Sequence, residues 1–189
     1  MNDITDFLLK RRSTIIMRMA AEPVSADDLD TILACGMRVP DHGVLAPWKF
    51  IVINEAAAKR LGDEVLGPEF EKDNPDCDPE ILAQEKARLL RAGTTIAVLY
   101  TPKEHPKIPQ WEMMLSAGAA TMNIVTAAQA LGYATQWVTE WYSYNEAMIT
   151  ALGGTAGHDK IAGFVYIGKK TQEPKERRRP LPETVIEYL

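Results

Sequence analysis

The chain has 189 residues, 46% hydrophobic and 25% charged, with a formal net charge of -5; this balance suits one globular domain spanning 1–189 and excludes a disordered or fibrous chain. Net acidity argues against a nucleic-acid partner, because neutralising phosphates needs a basic face. Cys35 and Cys77 show neither CxxC spacing nor a nearby histidine cluster, so reduced thiols and no metal site are expected, and acids at the N-terminus in place of a basic secretory signal predict a cytoplasmic location.

Ile4, Phe7 and Leu8 predict a first helix that runs into Lys10-Arg11-Arg12, where cations favour a helix C-terminus. A second helix opens at Ser25, a capping residue followed by Asp27 and Asp28, carries Leu29, Ile32, Leu33 and Met37 on one face, and ends before Pro40. Trp48 to Ile53 reads as a buried strand entered through Pro47, followed by a helix from about Glu55 to Val65. Two prolines, acids and an asparagine between Gly67 and Pro79 predict a surface loop before another polar helix.

Thr94 to Thr101 is a second strand, and the proline-rich segment from Pro102 to Pro109 leads to a long helix. From Met113 to Val138 there is no charged side chain, a length sufficient to span a bilayer. Its small and weakly polar residues make insertion unfavourable, so the expectation is a fully buried helix, packed in the core and at a subunit interface, and no membrane association. Tyr133 to Thr139 reads as a third strand, Asn145 to Leu152 as a short helix, and Ile161 to Ile167 as a fourth strand stopped by Gly168. A basic tail ends in the strand-like Val185 to Leu189. Alternating helices and strands predict a central sheet covered by helices, α/β or α+β. No GxGxxG turn or Walker A loop is present.

Three segments could carry chemistry. Arg11-Arg12-Ser13 offers two guanidiniums and a hydroxyl suited to a terminal phosphate, although adjacent arginines at a helix end are more often a solvated, dipole-complementing patch. Arg38-Val39-Pro40-Asp41-His42 is a turn that can present side chains to a cleft, while a lone histidine is more often structural. Pro47-Trp48 puts an aromatic at the mouth of a strand, where ordinary packing also explains it.

Together with Ala46-Pro47-Trp48, Trp111-Glu112, Ser116-Ala117-Gly118, Gln136-Trp137-Val138-Thr139 and Arg177-Arg178-Arg179-Pro180-Leu181, these pieces form an ordered set that resembles the nitroreductase-like FMN-dependent oxidoreductase family, in particular its small YdjA-type members. The resemblance spans nearly the whole chain. It implies an α+β fold with a mostly antiparallel sheet, two interlocked subunits and an FMN in each of two interface clefts. It implies that Arg11, Arg12 and Ser13 bind the phosphate and ribityl side, with Arg177 and Arg179 adding cations. Arg38 and His42 would reach the flavin from the other subunit, and Trp137, Val138 and Thr139 would run beside the isoalloxazine. The stretch Ala127 to Gly132 matches a position linked to nicotinamide contact.

The activity so implied is NAD(P)H oxidation with transfer through flavin N5 to a nitroaromatic, quinone or related acceptor, with NADH or NADPH as donor; no side chain need act as an acid or base, and His42 is the candidate for donating a proton to the acceptor. An FMN-binding or storage protein on the same fold is the alternative. Where the small members usually carry arginine after the strand tryptophan, this chain has Val138, with Glu140 close behind, so a negative group near the ring and a bias against anionic substrates are expected.

Overall fold

The computed structural model describes residues 3–189. Its frame is set by two strands that are apolar on both faces. In β3 (Thr94–Tyr100) every residue is buried, and β5 (Lys160–Lys170) is buried almost throughout. Side chains alternate along a strand. Ile96, Val98, Val165 and Ile167 therefore meet one apolar cluster with Ile32, Ile124 and Val125, while Leu99, Phe164 and Tyr166 meet a second with Leu61, Leu66, Tyr142 and Met148. Such two-faced burial requires a layer of helices on each side of the sheet.

All pairings are antiparallel. β2 (Trp48–Ile53) pairs with β3, β3 with β5, and β5 on its other side with β4 (Ala134–Val138) and with the two-residue β1 (Met19–Ala20). This is the α+β sheet expected. β1 is too short to give a periodic signal.

The helices begin where capping side chains permit. Ser25 accepts from the Asp28 N–H at 3.2 Å to open α2 (Ala26–Gly36), and Asn54 accepts from Ala57 at 2.9 Å to open α3 (Glu55–Leu61). Helix α1 (Asp3–Lys10) precedes the arginine pair. The predicted loop from Gly67 is instead helical. After α3 the backbone widens into a π turn (Gly62–Leu66), in which the Gly67 N–H donates to the Gly62 carbonyl, and continues as α4 (Gly67–Asp73). The widened turn puts Pro68 in the first turn of α4, where its missing N–H costs nothing. Only residues 74–78 separate α4 from α5 (Pro79–Lys86).

Three further expectations change. Gly168 does not stop β5, because Ala134 pairs with it and β1 pairs with Lys169 and Lys170 beyond it. Val185 to Leu189 forms no strand and is exposed. The long helix α6 (Gln110–Ala130) is not buried all round: Met113, Ala117, Ala120, Ile124 and Ala128 face the core, while Met114 and Leu115 are open to solvent. The short α7 (Glu146–Ala151) lies in the remaining connection, capped by Asn145, which accepts from Met148 at 2.9 Å.

Candidate functional site

Beyond α1 the chain turns along the free side of β4. The Thr14 N–H donates to the Thr135 carbonyl at 2.9 Å and the Ile16 N–H to Gln136 Oε1 at 2.7 Å. Gln129, in the last turn of α6, fixes the arginine pair against this edge: its Oε1 accepts from Arg11 Nε at 3.0 Å, and its Nε2 donates to the Arg12 carbonyl at 2.9 Å and to Thr135 Oγ1 at 2.6 Å.

The C-terminal tail comes back to the same place. Arg12 donates to the Lys175 carbonyl and to Glu176 Oε1 (3.1 Å), and Arg179 reaches Glu176 at 3.4 Å. Arg177 enters through its backbone N–H, which donates to Glu176 at 2.7 Å. Thus segments more than 160 residues apart, exemplified by Arg12 and Glu176, gather Arg11, Arg12 and Arg179 around Glu176, beside a hollow of about 340 Å³ that Arg11, Arg12, Lys10, Lys170, Glu173 and Glu176 line. Burial first, then the charges of Arg179 and Arg12, hold the Arg11 guanidinium below its ordinary pKa. Lys170 is paired with Glu173 and Lys10 with Asp6, while Arg11 is bonded to a neutral amide, so the three guanidiniums share the single carboxylate of Glu176. Ser13 is exposed between Arg12 and Thr14.

At the other end of β4, the Trp137 indole N–H donates to the Ala162 carbonyl at 3.0 Å. The ring lies so close to β5 that a Cβ on Gly163 would stand 2.0 Å from the indole nitrogen, and only glycine leaves it that space. Val138 is half-buried on the core and Thr139 is exposed. From Thr135 to Trp137 is two strand steps, roughly 7 Å, and Thr139 lies about as far again beyond the indole. The cation cluster and the indole therefore mark two ends of one shelf along β4.

Glu140, expected to bring negative charge to this shelf, is neutralised. It accepts from Arg88 Nη1 and Arg91 Nη2, both at 2.9 Å. Arg88 also bonds Glu85 through two of its nitrogens, with Nε at 2.8 Å, and the Trp141 indole N–H donates to the same carboxylate at 2.9 Å. Arg91 lies 5.2 Å from the centroid of the Tyr166 ring, whose hydroxyl meets that of Tyr142 at 2.8 Å. Burial pulls the Glu85 carboxyl upward, but Arg88, the Trp141 N–H and Arg91 outweigh it and hold it below the ordinary carboxylate range.

The other two predicted residues lie elsewhere in the same protomer. Arg38 is exposed at the rim of an apolar hollow with Ile4, Phe7, Cys35 and Ala127, and its carbonyl accepts from Asn123 Nδ2 at 2.9 Å. His42 Nδ1 is 2.8 Å from Glu112 Oε2 at the start of α6. Glu112 and Gln129 are 17 residues apart on that helix, roughly 25 Å. One protomer thus brings Arg11, Arg12, Arg179 and the Trp137 strand together and leaves His42 far from them. Gln129, which ties the cluster together, lies within the stretch assigned to nicotinamide contact and was not singled out; an amide among alanines near a helix end was the available signal.

Against known proteins, a sequence profile of the Nitroreductase family matches residues 8–169. The chain is 33% identical over 168 residues to YdjA of Escherichia coli (strain K12), named as an NAD(P)H nitroreductase, covering 88% of this chain and 87% of that protein. A Haemophilus influenzae protein of the same designation is 31% identical over 191 residues, covering 99% and 100%. The fold matches the crystal structure of a nitroreductase-like family protein from Bacillus cereus with a TM-score of 0.80 at 23% identity, covering 100% of this chain and 97% of that one. A Bacteroides fragilis nitroreductase with bound FMN matches with a TM-score of 0.72 at 21% identity over the full length of both chains. No helix among the described residues is long and apolar enough to cross a membrane.

Proposed function

The chain belongs to the nitroreductase family, whose members are oxidoreductases, and from that premise we propose that it is an FMN-dependent NAD(P)H oxidoreductase acting on nitroaromatic, quinone or related acceptors. The observation that carries this reading is the gathering of Arg11, Arg12 and Arg179 from opposite ends of the chain around one shared carboxylate, Glu176, beside a hollow that Arg11 and Arg12 line. Guanidiniums brought together in excess of their carboxylates call for an anion, and their planar forks suit a phosphate.

The donor set fits flavin mononucleotide. A terminal phosphate takes Arg11, Arg12 and Arg179, with the Ser13 hydroxyl and the Arg177 cation beside it. The shelf along β4 gives the ribityl chain and ring their length, and the backbone of Trp137, Val138 and Thr139 lines the ring edge. FMN held there supplies hydride acceptance from NADH or NADPH and hydride release to the acceptor. The protein positions the ring, shields it with the Trp137 indole, and leaves an open face for donor and acceptor in turn.

The site needs a second copy of the chain. His42 reaches it only from a partner, since within one protomer the first turn of α6 is roughly 25 Å from the last, and Arg38 is taken to enter from the same partner. Three features support an interlocked homodimer: the open α6 face with Met114 and Leu115; the outer edge of β2, unpaired among the described residues; and the exposed apolar tail from Val185 to Leu189. An apolar tail of one protomer laid on a strand edge of the other would satisfy both.

A visible spectrum of the purified protein, before and after anaerobic NADPH, tests the reading. A yellow protein that bleaches with NADPH and regains colour with a quinone is the expected result. A yellow protein that never bleaches would instead be an FMN carrier, and a colourless one that takes up no added FMN would remove the proposal.

A further inference from the structure

His42 and Glu112 form a contact whose surroundings exceed what stability asks of it. Their side chains are 62% and 45% exposed, and an ion pair so exposed adds little to folding. The turn that presents His42 is nevertheless strained and braced. Gly43, Val44 and Ala46 have φ of 74°, 54° and 45°, a left-handed backbone that disfavours alanine and, more strongly, a β-branched valine. The Asp41 carboxylate holds the turn by accepting from the Leu45 and Ala46 N–H groups at 3.2 and 2.8 Å. The Ser116 hydroxyl of α6 fastens the Pro40 carbonyl at 2.8 Å, and a Cβ at Gly43 would meet Ile108 at 2.6 Å. Strain of this kind persists where the surroundings over-determine it, and it gathers at sites that must aim a side chain. What this turn aims is the His42 imidazole, with Nδ1 on Glu112 and Nε2 left open.

We propose that His42 and Glu112 are a proton-delivery pair serving the acceptor bound at the partner subunit's flavin site: His42 gives the proton, and Glu112 is the positioning residue that fixes the ring. This rests on the flavin reading above. Reduction of a quinone to its hydroquinone takes up one hydride and one proton. The hydride comes from FMN reduced by NAD(P)H. The proton comes from Nε2 of the His42 imidazolium: the N–H bond breaks as the quinone oxygen gains its hydrogen. The neutral ring keeps its Nδ1–H on Glu112 Oε2, so the same nitrogen stays bonded through the cycle and Nε2 is recharged from water. Without Glu112 a neutral histidine is free to turn over or to carry its proton on the wrong nitrogen, the fault that a third group prevents wherever a histidine works as acid or base.

The test compares two acceptors in the FMN-loaded dimer. Ferricyanide takes electrons alone, whereas a quinone also needs the proton. Glu112→Gln and His42→Gln should lower quinone turnover by roughly tenfold or more relative to ferricyanide turnover, with kcat falling rather than KM rising, and Glu112→Asp should recover part of the loss. Nitrogen-15 spectra of the wild type, with or without FMN, should show neutral His42 protonated at Nδ1, and Glu112→Gln should shift it toward the Nε2–H form. A quinone-to-ferricyanide ratio unchanged by both substitutions, or a wild-type His42 protonated at Nε2 when neutral, overturns the proposal. Failure of the flavin reading looks different: the wild type would be colourless, while the nitrogen-15 signature would still report the pair.

Discussion

Two arginine clusters flank β4, and they are built on opposite rules. Arg88 and Arg91 are matched by Glu85 and Glu140, one carboxylate for each guanidinium, with Tyr142, Tyr166 and the Trp141 indole completing the hydrogen bonds. Arg11, Arg12 and Arg179 share Glu176 and a neutral amide, and Arg11 is held below its ordinary pKa by burial and by its like-charged neighbours. A charge-balanced cluster is complete as folded. An unbalanced one is complete only with an anion added, and so the second, not the first, is the place to look for a ligand.

The largest effect expected is on the balanced cluster. Glu85→Ala removes two charge-assisted bonds from the part-buried Arg88 and leaves Glu140 to serve both guanidiniums, and should cost roughly 1.5–3 kcal/mol of stability. Chemical denaturation near neutral pH checks this, and a loss below about 1 kcal/mol would put the cluster with ordinary surface ion pairs. The pH dependence has a definite sign. Because the folded Glu85 carboxyl lies below the ordinary value of 4.5, its contribution is present in full above that value and is lost as pH falls through the folded one. Glu85→Gln should therefore show a shallower loss of stability with acid than the wild type. FMN affinity of the variants that fold should stay close to that of the wild type.

The unbalanced cluster should respond the other way round. Arg11→Ala or Arg179→Ala removes charge-assisted bonds to the phosphate and should weaken FMN binding about 10- to 100-fold, while shifting denaturation far less than Glu85→Ala does. Flavin fluorescence titration at two salt concentrations measures it, and the arginine variants should show the weaker salt dependence. Equal loss of stability and FMN binding in both clusters would erase the distinction between them.

This distinction was only half legible in the sequence. The arginine triplet and the tail arginines could be read from the chain, because each is a local run of like charge, and the strands followed from short apolar runs and the second helix from its cap at Ser25. The balanced cluster could not, since Glu85, Arg88, Arg91 and Glu140 are unremarkable polar residues until α5, the segment after it and the exit of β4 fold against one another. For the same reason Glu140 read as a free negative charge. The helix at Gly67 was missed because Pro68 signals a break unless a π turn has already moved it into a first turn. The uncharged composition of α6 pointed to burial in the core and at a subunit interface, but it does not distinguish the residues that face the core from those a second copy would cover.

The finest test of the comparison is Glu176, the internal carboxylate in the unbalanced cluster. It accepts from Arg12 and Arg179 and, through the Arg177 N–H first and these cations after, is held below the ordinary carboxylate value. It therefore remains an anion at neutral pH and competes with a phosphate for the same guanidiniums. Glu176→Gln keeps the shape and removes that competition, so FMN should bind roughly two- to fivefold more tightly, the scale of an exposed ion pair. The apo protein should meanwhile become slightly less stable at low salt, because three guanidiniums then face one another with no carboxylate between them. If Glu176→Gln instead weakens FMN binding, the carboxylate orients the arginines for the phosphate rather than standing in its place. The cluster would then resemble the balanced one more closely than its charge suggests.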